Sequence, residues 1–427
     1  MDIGKQMYGW AVDLFGVNRS ITGDGVRETL AYFSNLIPDL TTKSIASGTK
    51  VFDWTIPDEW SINSAYIEDE HGNRIIDFND NNLHVVGYSI PVDRFIDLEE
   101  LKEHLHSIPD QPDAIPYVTS YYSRTWGFCM SHKQKSSLKP GKYKVSIDSK
   151  IYPGFLNYGE LIIPGETKEE VLISTYICHP SMANNELSGP VVTTALSQWL
   201  LSLEKRKYTY RIIFIPETIG SIAYLSMNIK HMKNYTVAGF VVTCIGDNLS
   251  YSFMPSKKGN TLADRAALHT LKNNVKNFTQ YSFLERGSDE RQYCSPGVDL
   301  PVCSIMRSKY GTYPQYHTSL DDLSFINPEG LKGGLDIIKK TLQAIELNNY
   351  YLNLSICEPQ LGKRGLYPNT STKDTFSETR RMMNLLAYAD GKIDLIDLAN
   401  KIDEDINNLY PLVDNLLSSK LLKKNNL

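Results

Sequence analysis

The sequence predicts an α/β fold: a mixed, mostly parallel sheet with helices on both faces, a small β-rich inserted lobe and a C-terminal winged-helix module. Three observations point there. From about Tyr117 to Leu347, strand-like apolar runs alternate with helical stretches. Between Leu40 and Pro116 the texture changes to short β-type runs that end in a proline-rich segment. Beyond Thr372, three helical segments precede a short β-type run.

Taken in order, Ile3–Leu36 reads as two helices around a turn punctuated by Asn18-Arg19-Ser20 and Thr22-Gly23-Asp24-Gly25. The lobe's β-type runs are Val51–Pro57, Ser64–Ile67, Arg74–Phe78 and His84–Tyr88, with His71-Gly72-Asn73 as a hairpin turn. Leu98–His106 reads as a short helix. In the alternating region the strands are Tyr143–Ile147, Leu156–Ile163, Glu170–Thr175, Tyr210–Ile215, Ala238–Thr243 and Val302–Ile305. The helices there are Pro190–Glu204, Ser221–Lys230, Leu262–Asn274 and Pro328–Leu347. A linker punctuated by proline and glycine runs from Cys357 to Thr372. The tail helices are Phe376–Tyr388, Asp394–Lys401 and Leu409–Leu417, the last with Pro411 in its first turn. The implied domains are 1–47 with 117–360, the lobe at 48–116, and the module at 373–427.

Composition narrows the function classes. The chain has 427 residues, 41% hydrophobic and 22% charged, which is globular rather than disordered. A net charge of −5 gives no strong pull toward nucleic acid or an anionic membrane. No apolar run reaches membrane-spanning length, and the N-terminus lacks the order of a signal peptide. Six irregularly spaced cysteines suggest neither a disulfide framework nor a zinc ribbon, and imply a reducing cytoplasm. The tail, Lys373–Leu427, carries 8 Lys and Arg against 9 Asp and Glu, with Asp403-Glu404-Asp405 ahead of its would-be recognition helix. Packing or self-association suits that module better than DNA binding.

Chemistry-bearing side chains gather where strands end, the edge at which open α/β sheets bind ligands. Ile173–Cys178 runs into His179-Pro180, and Glu186 follows seven residues later, before a helix. Two readings stand: a loop converging His179 and Glu186 on a cation, or a loop histidine beside a helix-capping carboxylate. The next strand ends at Pro216-Glu217-Thr218, where Glu217 is either a proton acceptor or an acid favoured by a helix dipole. Asp247 ends a third strand, as a rim or a turn residue. His317 lies in Tyr316-His317-Thr318-Ser319-Leu320-Asp321-Asp322, where it could be a ligand with a neighbouring acid orienting it. Arg291, in Gly287-Ser288-Asp289-Glu290-Arg291, could receive an anion or form a surface ion pair.

Together these motifs resemble the M28-like zinc aminopeptidases. They are closest to a bacterial aminopeptidase-like branch with an inserted small domain and a C-terminal winged helix. The resemblance rests on Cys178–Gly189, Pro216–Ser221, Gly287–Arg291 and Tyr316–Thr318, and covers essentially the whole chain. It implies a zinc aminopeptidase-like fold and assigns His179 and His317 to the family's two histidines. Glu217 falls on the general base. The chain departs from the two-metal pattern elsewhere. Asn185 falls on the bridging aspartate with Glu186 one residue on, Thr218 falls on the second glutamate, and Thr243 on the later aspartate.

The expectation is therefore one zinc per chain held by His179, Glu186 and His317, with Glu217 as base. Arg291, Asp289 and Tyr316 are the expected substrate contacts. The implied reaction is hydrolysis of an amide, at a peptide N-terminus or on an aminoacyl or acylamino group of a small molecule or sugar. The alternative is a non-catalytic metal-binding or assembly protein, which the resemblance would place in a surface-polysaccharide pathway. Neither reading involves nucleic acid or membrane, and the C-terminal module is the expected site of any homo-oligomer.

Overall fold

A computed structural model of the chain describes residues 2–366 and 373–425. The last part of the expected linker, 367–372, lies outside the described residues. The chain divides into two compact units, Met1–Lys258 with Thr279–Leu335, and Gly259–Phe278 with Asp336–Leu427.

The first unit is built on an eight-stranded sheet. Its spatial order is Thr41–Ala46, Phe155–Ile163, Thr209–Ile215, Glu170–Tyr176, Thr236–Val241, Val302–Met306, Ser252–Met254 and Thr279–Gln280. The four strands from Thr209–Ile215 to Val302–Met306 run parallel. Their near-continuous apolar runs are buried throughout, as a strand covered on both faces requires. Alternation along Thr209–Ile215 shows the two faces. Phe214 meets Phe33 of the Asp24–Leu36 helix, ring centroids 5.3 Å apart. Ile213 and Ile215 share a core with Ile219 and Ile222 of the Ile219–Tyr235 helix. The Ser188–Ser202 helix starts very close to the sheet, and only glycine fits at 189. A Cβ there would stand 2.4 Å from the Val242 carbonyl oxygen.

The lobe has its own four-stranded antiparallel sheet, in the order Arg74–Asp77, Glu59–Glu68, Lys142–Tyr152, Val92–Asp97. It therefore runs further than residue 116. Lys142–Tyr152, expected in the alternating region, is a central strand of the lobe, because its buried residues Val145 and Ile147 pack with Ala65, Ile67 and Ile96. Three other expectations change. Val51–Pro57 is not one strand: it folds back on itself, Lys50–Val51 pairing antiparallel with Trp54–Thr55 in a small inserted hairpin. His84–Tyr88 forms no strand, since Asn82–His84 is a single 3-10 turn capped by Asn81. The helix after Asp97 stops at Glu103. The His71-Gly72-Asn73 turn forms as expected, with the Asp69 carboxylate accepting from the backbone N–H of His71 and of Asn73.

In the second unit, Asp390–Asp394, Tyr350–Asn353 and Leu422–Lys424 form an antiparallel sheet in that order. With it go the Lys373–Tyr388, Leu395–Lys401 and Ile406–Ser418 helices. The module thus begins near residue 349, earlier than its helices suggest, because its central strand precedes them. Pro411 lies inside the last helix rather than in its first turn. It sits on the exposed side, opposite the buried stripe Ile406, Leu409, Val413 and Leu416, so its ring displaces no core contact. Among the described residues, no helix is long and apolar enough to cross a membrane.

Candidate active site

The strand register sets the site. Tyr176 pairs with Ile215, and Ser174 with Val241, so three adjacent parallel strands end almost level. His179, Glu217 and Thr243 follow within three residues of those ends. The chain turns sharply here. Ser181, Thr218, Cys244 and His317 all have positive φ, at 23°, 63°, 47° and 57°. Thr218, with ψ −80°, adopts a conformation costly for a β-branched residue. Its N–H donates to Asp289 Oδ1 at 2.8 Å, and its Oγ1 accepts from Arg291 Nη2 at 2.5 Å. Strain of this kind, gathered at a sheet edge, commonly accompanies function.

His179 is fixed from behind. Its Nδ1 lies 2.9 Å from Glu186 Oε2, a contact that fixes the ring and turns Nε2 outward. Nε2 is then 3.8 Å from Glu217 Oε2. Arg19, 1% exposed, donates Nε to the His179 carbonyl at 2.9 Å and lies 3.5 Å from Glu186 Oε1. Burial, helped by Arg19, lowers the His179 pKa to about 3, and burial together with His179 lowers His317 to about 3. Both imidazoles are thus neutral, the form that binds metals. Burial pushes Glu186 up to about 8, against the pull of Arg19. Burial, with Asp289 adding to it, also raises Glu217.

The outward faces meet in a pocket of about 300 Å³ lined by His179, Glu217, Arg291, His317, Tyr117 and Trp54, among others. The rings of His179 and His317 are 5.4 Å apart, with Tyr117 5.2 Å from each. The roof belongs to the lobe and to the strap that follows residue 116. That strap is tied to the His317 loop: Tyr117 N–H donates to the His317 carbonyl, and Ser319 N–H to that of Ile115, both at 2.9 Å.

The expected ligand set is only partly brought together. His179 and Glu186 touch, and His317 lies beside His179, but Glu186 is fully buried and does not line the pocket. Among the described residues, the one cluster of metal-ligating atoms is Cys178, His179 and Glu186, all within 4.8 Å of one another. Asp289 is likewise buried away from the pocket. It accepts from Thr218 N–H and from Ser221 Oγ, both at 2.8 Å, and so braces the strained turn. Tyr316 stacks on His317 at 3.9 Å rather than lining the pocket. Asp321 does not orient His317. Its carboxylate accepts from the N–H groups of Asn184 and Asn185 at 2.7 and 2.9 Å, holding the π-type turn Ala183–Leu187. Asp247 is a buried turn residue that accepts from Asn184, Leu249 and Ser308.

The donor chemistry fits one cation better than two. The pocket offers two neutral imidazoles and one carboxylate, while two positions that could add carboxylates are threonines with occupied hydroxyls. Thr218 Oγ1 is taken by Arg291, and Thr243 Oγ1 donates to the Asn185 carbonyl and lies against the Tyr176 hydroxyl. The sequence reading missed Arg19, Tyr117 and Trp54. The first looked like a turn residue, and the others belong to the lobe and strap, which carry no local motif.

A family described as "Domain of unknown function (DUF4910)" matches residues 8–348, and a winged helix-turn-helix family matches residues 349–424. A Clostridium acetobutylicum protein, provisionally named a polysaccharide biosynthesis protein with an aminopeptidase-like domain, is 43% identical over 424 residues. The match covers 99% of this chain and 97% of that one. A crystal structure of a C. acetobutylicum protein provisionally described as a peptidase is 42% identical and covers 99% of this chain and 96% of its own, with a TM-score of 0.93. The Bacillus subtilis zinc aminopeptidase BSAP, 11% identical, covers 80% of this chain and 95% of its own at a TM-score of 0.59, a likeness of fold.

Proposed function

The chain belongs to the DUF4910 family of aminopeptidase-like proteins with a C-terminal winged helix, and from its site we propose that it is a metal-dependent hydrolase of amides. The observation that carries this reading is the approach of Glu217 Oε2 to within 3.8 Å of His179 Nε2 in a roofed pocket. A carboxylate beside the open face of a neutral histidine is placed to accept a proton from a water held there. His179, through Nε2, and His317 would hold one zinc-like cation, with Glu186 fixing the His179 ring rather than binding directly. Such a cation, when bound, would supply Lewis acidity for the carbonyl and for water.

The chain's own groups account for the rest. Glu217 accepts a proton from the attacking water as the water oxygen bonds to the carbonyl carbon. It returns that proton to the nitrogen as the C–N bond breaks. Tyr117, Tyr121 and Trp54 narrow the pocket and exclude bulk water, which suits a chain end or a small molecule over the middle of a folded chain. Arg291 lines the wall and presents a positive charge to an anionic substrate group.

Glu217→Gln should lower amide hydrolysis by about 10²–10⁴-fold while leaving metal content unchanged. His179→Ala should lose both. A panel of aminoacyl-anilides, dipeptides and N-acyl amino sugars, with metal measured by elemental analysis, tests this. Full activity in Glu217→Gln would remove the proposed base. A fully metal-loaded wild type that cleaves nothing in the panel would favour the second reading, a metal-binding assembly protein. The observation behind that reading is the pair of threonines, Thr218 and Thr243, at two rim positions.

A further inference from the structure

A second cavity of about 360 Å³ adjoins the candidate active site, and the two share one wall, Trp54. Three elements contribute to both. The inserted hairpin gives Trp54 to both and Phe52 to the second. The Ile219–Tyr235 helix gives Ile219 to the first, and Ile222, Leu225 and Ile229 to the second. The 290–298 turn gives Arg291 to the first and Val298 to the second. Ile222, Leu225 and Ile229 recur at helical spacing and form an aliphatic floor about 10 Å long. Phe52 and Trp54 are 59% and 38% exposed, unusual for large aromatic residues on one short hairpin. Trp54 is held in place, edge to face, by Tyr122 at 5.6 Å. The charged group in this cavity is Asp53, which disfavours an anionic occupant.

We propose that this groove is a subsite for an uncharged apolar arm, aliphatic or aromatic, of the amide whose scissile bond lies in the adjoining pocket, with Trp54 as the divider between bond and arm. The proposal rests on the amide-hydrolase reading for the identity of the ligand. Continuity across Trp54 assigns the occupant, because a group in the groove and an amide beside Glu217 would lie on either side of one indole. An aliphatic floor with few polar groups suits a hydrocarbon arm better than a sugar ring, which needs convergent hydrogen-bond partners.

Calorimetric titration of the Glu217→Gln protein, in which turnover of the ligand is slowed, provides the test. The probes are two series that differ in the side bearing the arm, N-acyl-alanine amides and N-acetyl-alanine N-alkylamides, each with two-carbon and six-carbon arms. One series should gain at least about tenfold in affinity with the longer arm, below the ceiling of about fourfold per buried methylene. Ser295→Trp, which fills the groove, should bring the long-arm affinity back toward the short-arm value, and so should Ile229→Gln, a change at a half-exposed position. Affinity indifferent to arm length in both series, a gain that survives both variants, or no binding of any probe would overturn the subsite. Graded binding without wild-type cleavage would remove the hydrolase reading and keep the groove. Cleavage indifferent to arm length would do the reverse.

Discussion

Arg19 is buried and joins the N-terminal segment to the candidate active site. It donates to the carbonyls of Leu14 and His179 and faces the Glu186 carboxylate. Losing Arg19 strips a buried donor from the Leu14 and His179 carbonyls and the compensating charge from Glu186, so Arg19→Met should cost roughly 3–5 kcal/mol in chemical denaturation. Arg19→Lys should recover only part of this, since an ammonium lacks the planar fork that serves two acceptors at once. That His179 and Glu217 lie at the rim of the sheet was legible because apolar runs mark strand ends locally; His317 was marked only by its polar, aromatic loop, well past the strand that ends at Met306. Arg19 was not, because its partner lies 160 positions away. The type of residue 186 was legible as well. Its direction was not, because which imidazole nitrogen it meets depends on how the Ala183–Leu187 turn winds.

At the scale of elements, the strands of the central sheet and the long helices were readable from periodicity alone. Lys142–Tyr152 was readable as a strand but not assignable to a sheet, since alternation does not say which partner will pair with it. The Ile406–Ser418 helix shows how much one cap can carry. Burial alone would raise the pKa of Asp405. Hydrogen bonds from the Asn407 N–H and from the side-chain amides of Asn274 and Asn407, with the His269 ring 3.8 Å away, more than offset this and hold its carboxyl well below the usual range. Asp405→Ala should therefore destabilise the module by about 1–2 kcal/mol, read from its thermal midpoint. The sign with pH follows from the depressed value. The contribution is complete above the unfolded pKa of about 4 and is lost as pH falls through the folded one. Wild type and Asp405→Ala should thus converge in stability in strong acid.

At the scale of the whole molecule, the low net charge and the presence of an inserted lobe were visible in composition, while the lobe's true extent and the grouping of 259–278 and 336–348 with the C-terminal module were not. The tail forms a winged helix, yet its Ile406–Ser418 helix contains no lysine or arginine. A helix without cations gains nothing from counterion release, so gel shifts with duplex DNA should show no tight, salt-sensitive complex. Tight binding at low salt that fails at moderate salt would contradict this. The lobe has a consequence for the order of folding. Ala46 pairs with Phe155, and Ser47 N–H donates to the Gly154 carbonyl, so everything from 47 to 154 is spliced into what is otherwise a hairpin at the sheet edge. Closing that hairpin over an unfolded insertion costs roughly 3 kcal/mol more chain entropy than closing it over a tight turn. A lobe that has already formed brings its two ends together and turns a remote pairing into a nearby one. Thr41–Ala46 should therefore be among the last strands to acquire hydrogen-exchange protection during refolding, and substitutions in the core of the lobe should slow its docking on an edge they never touch.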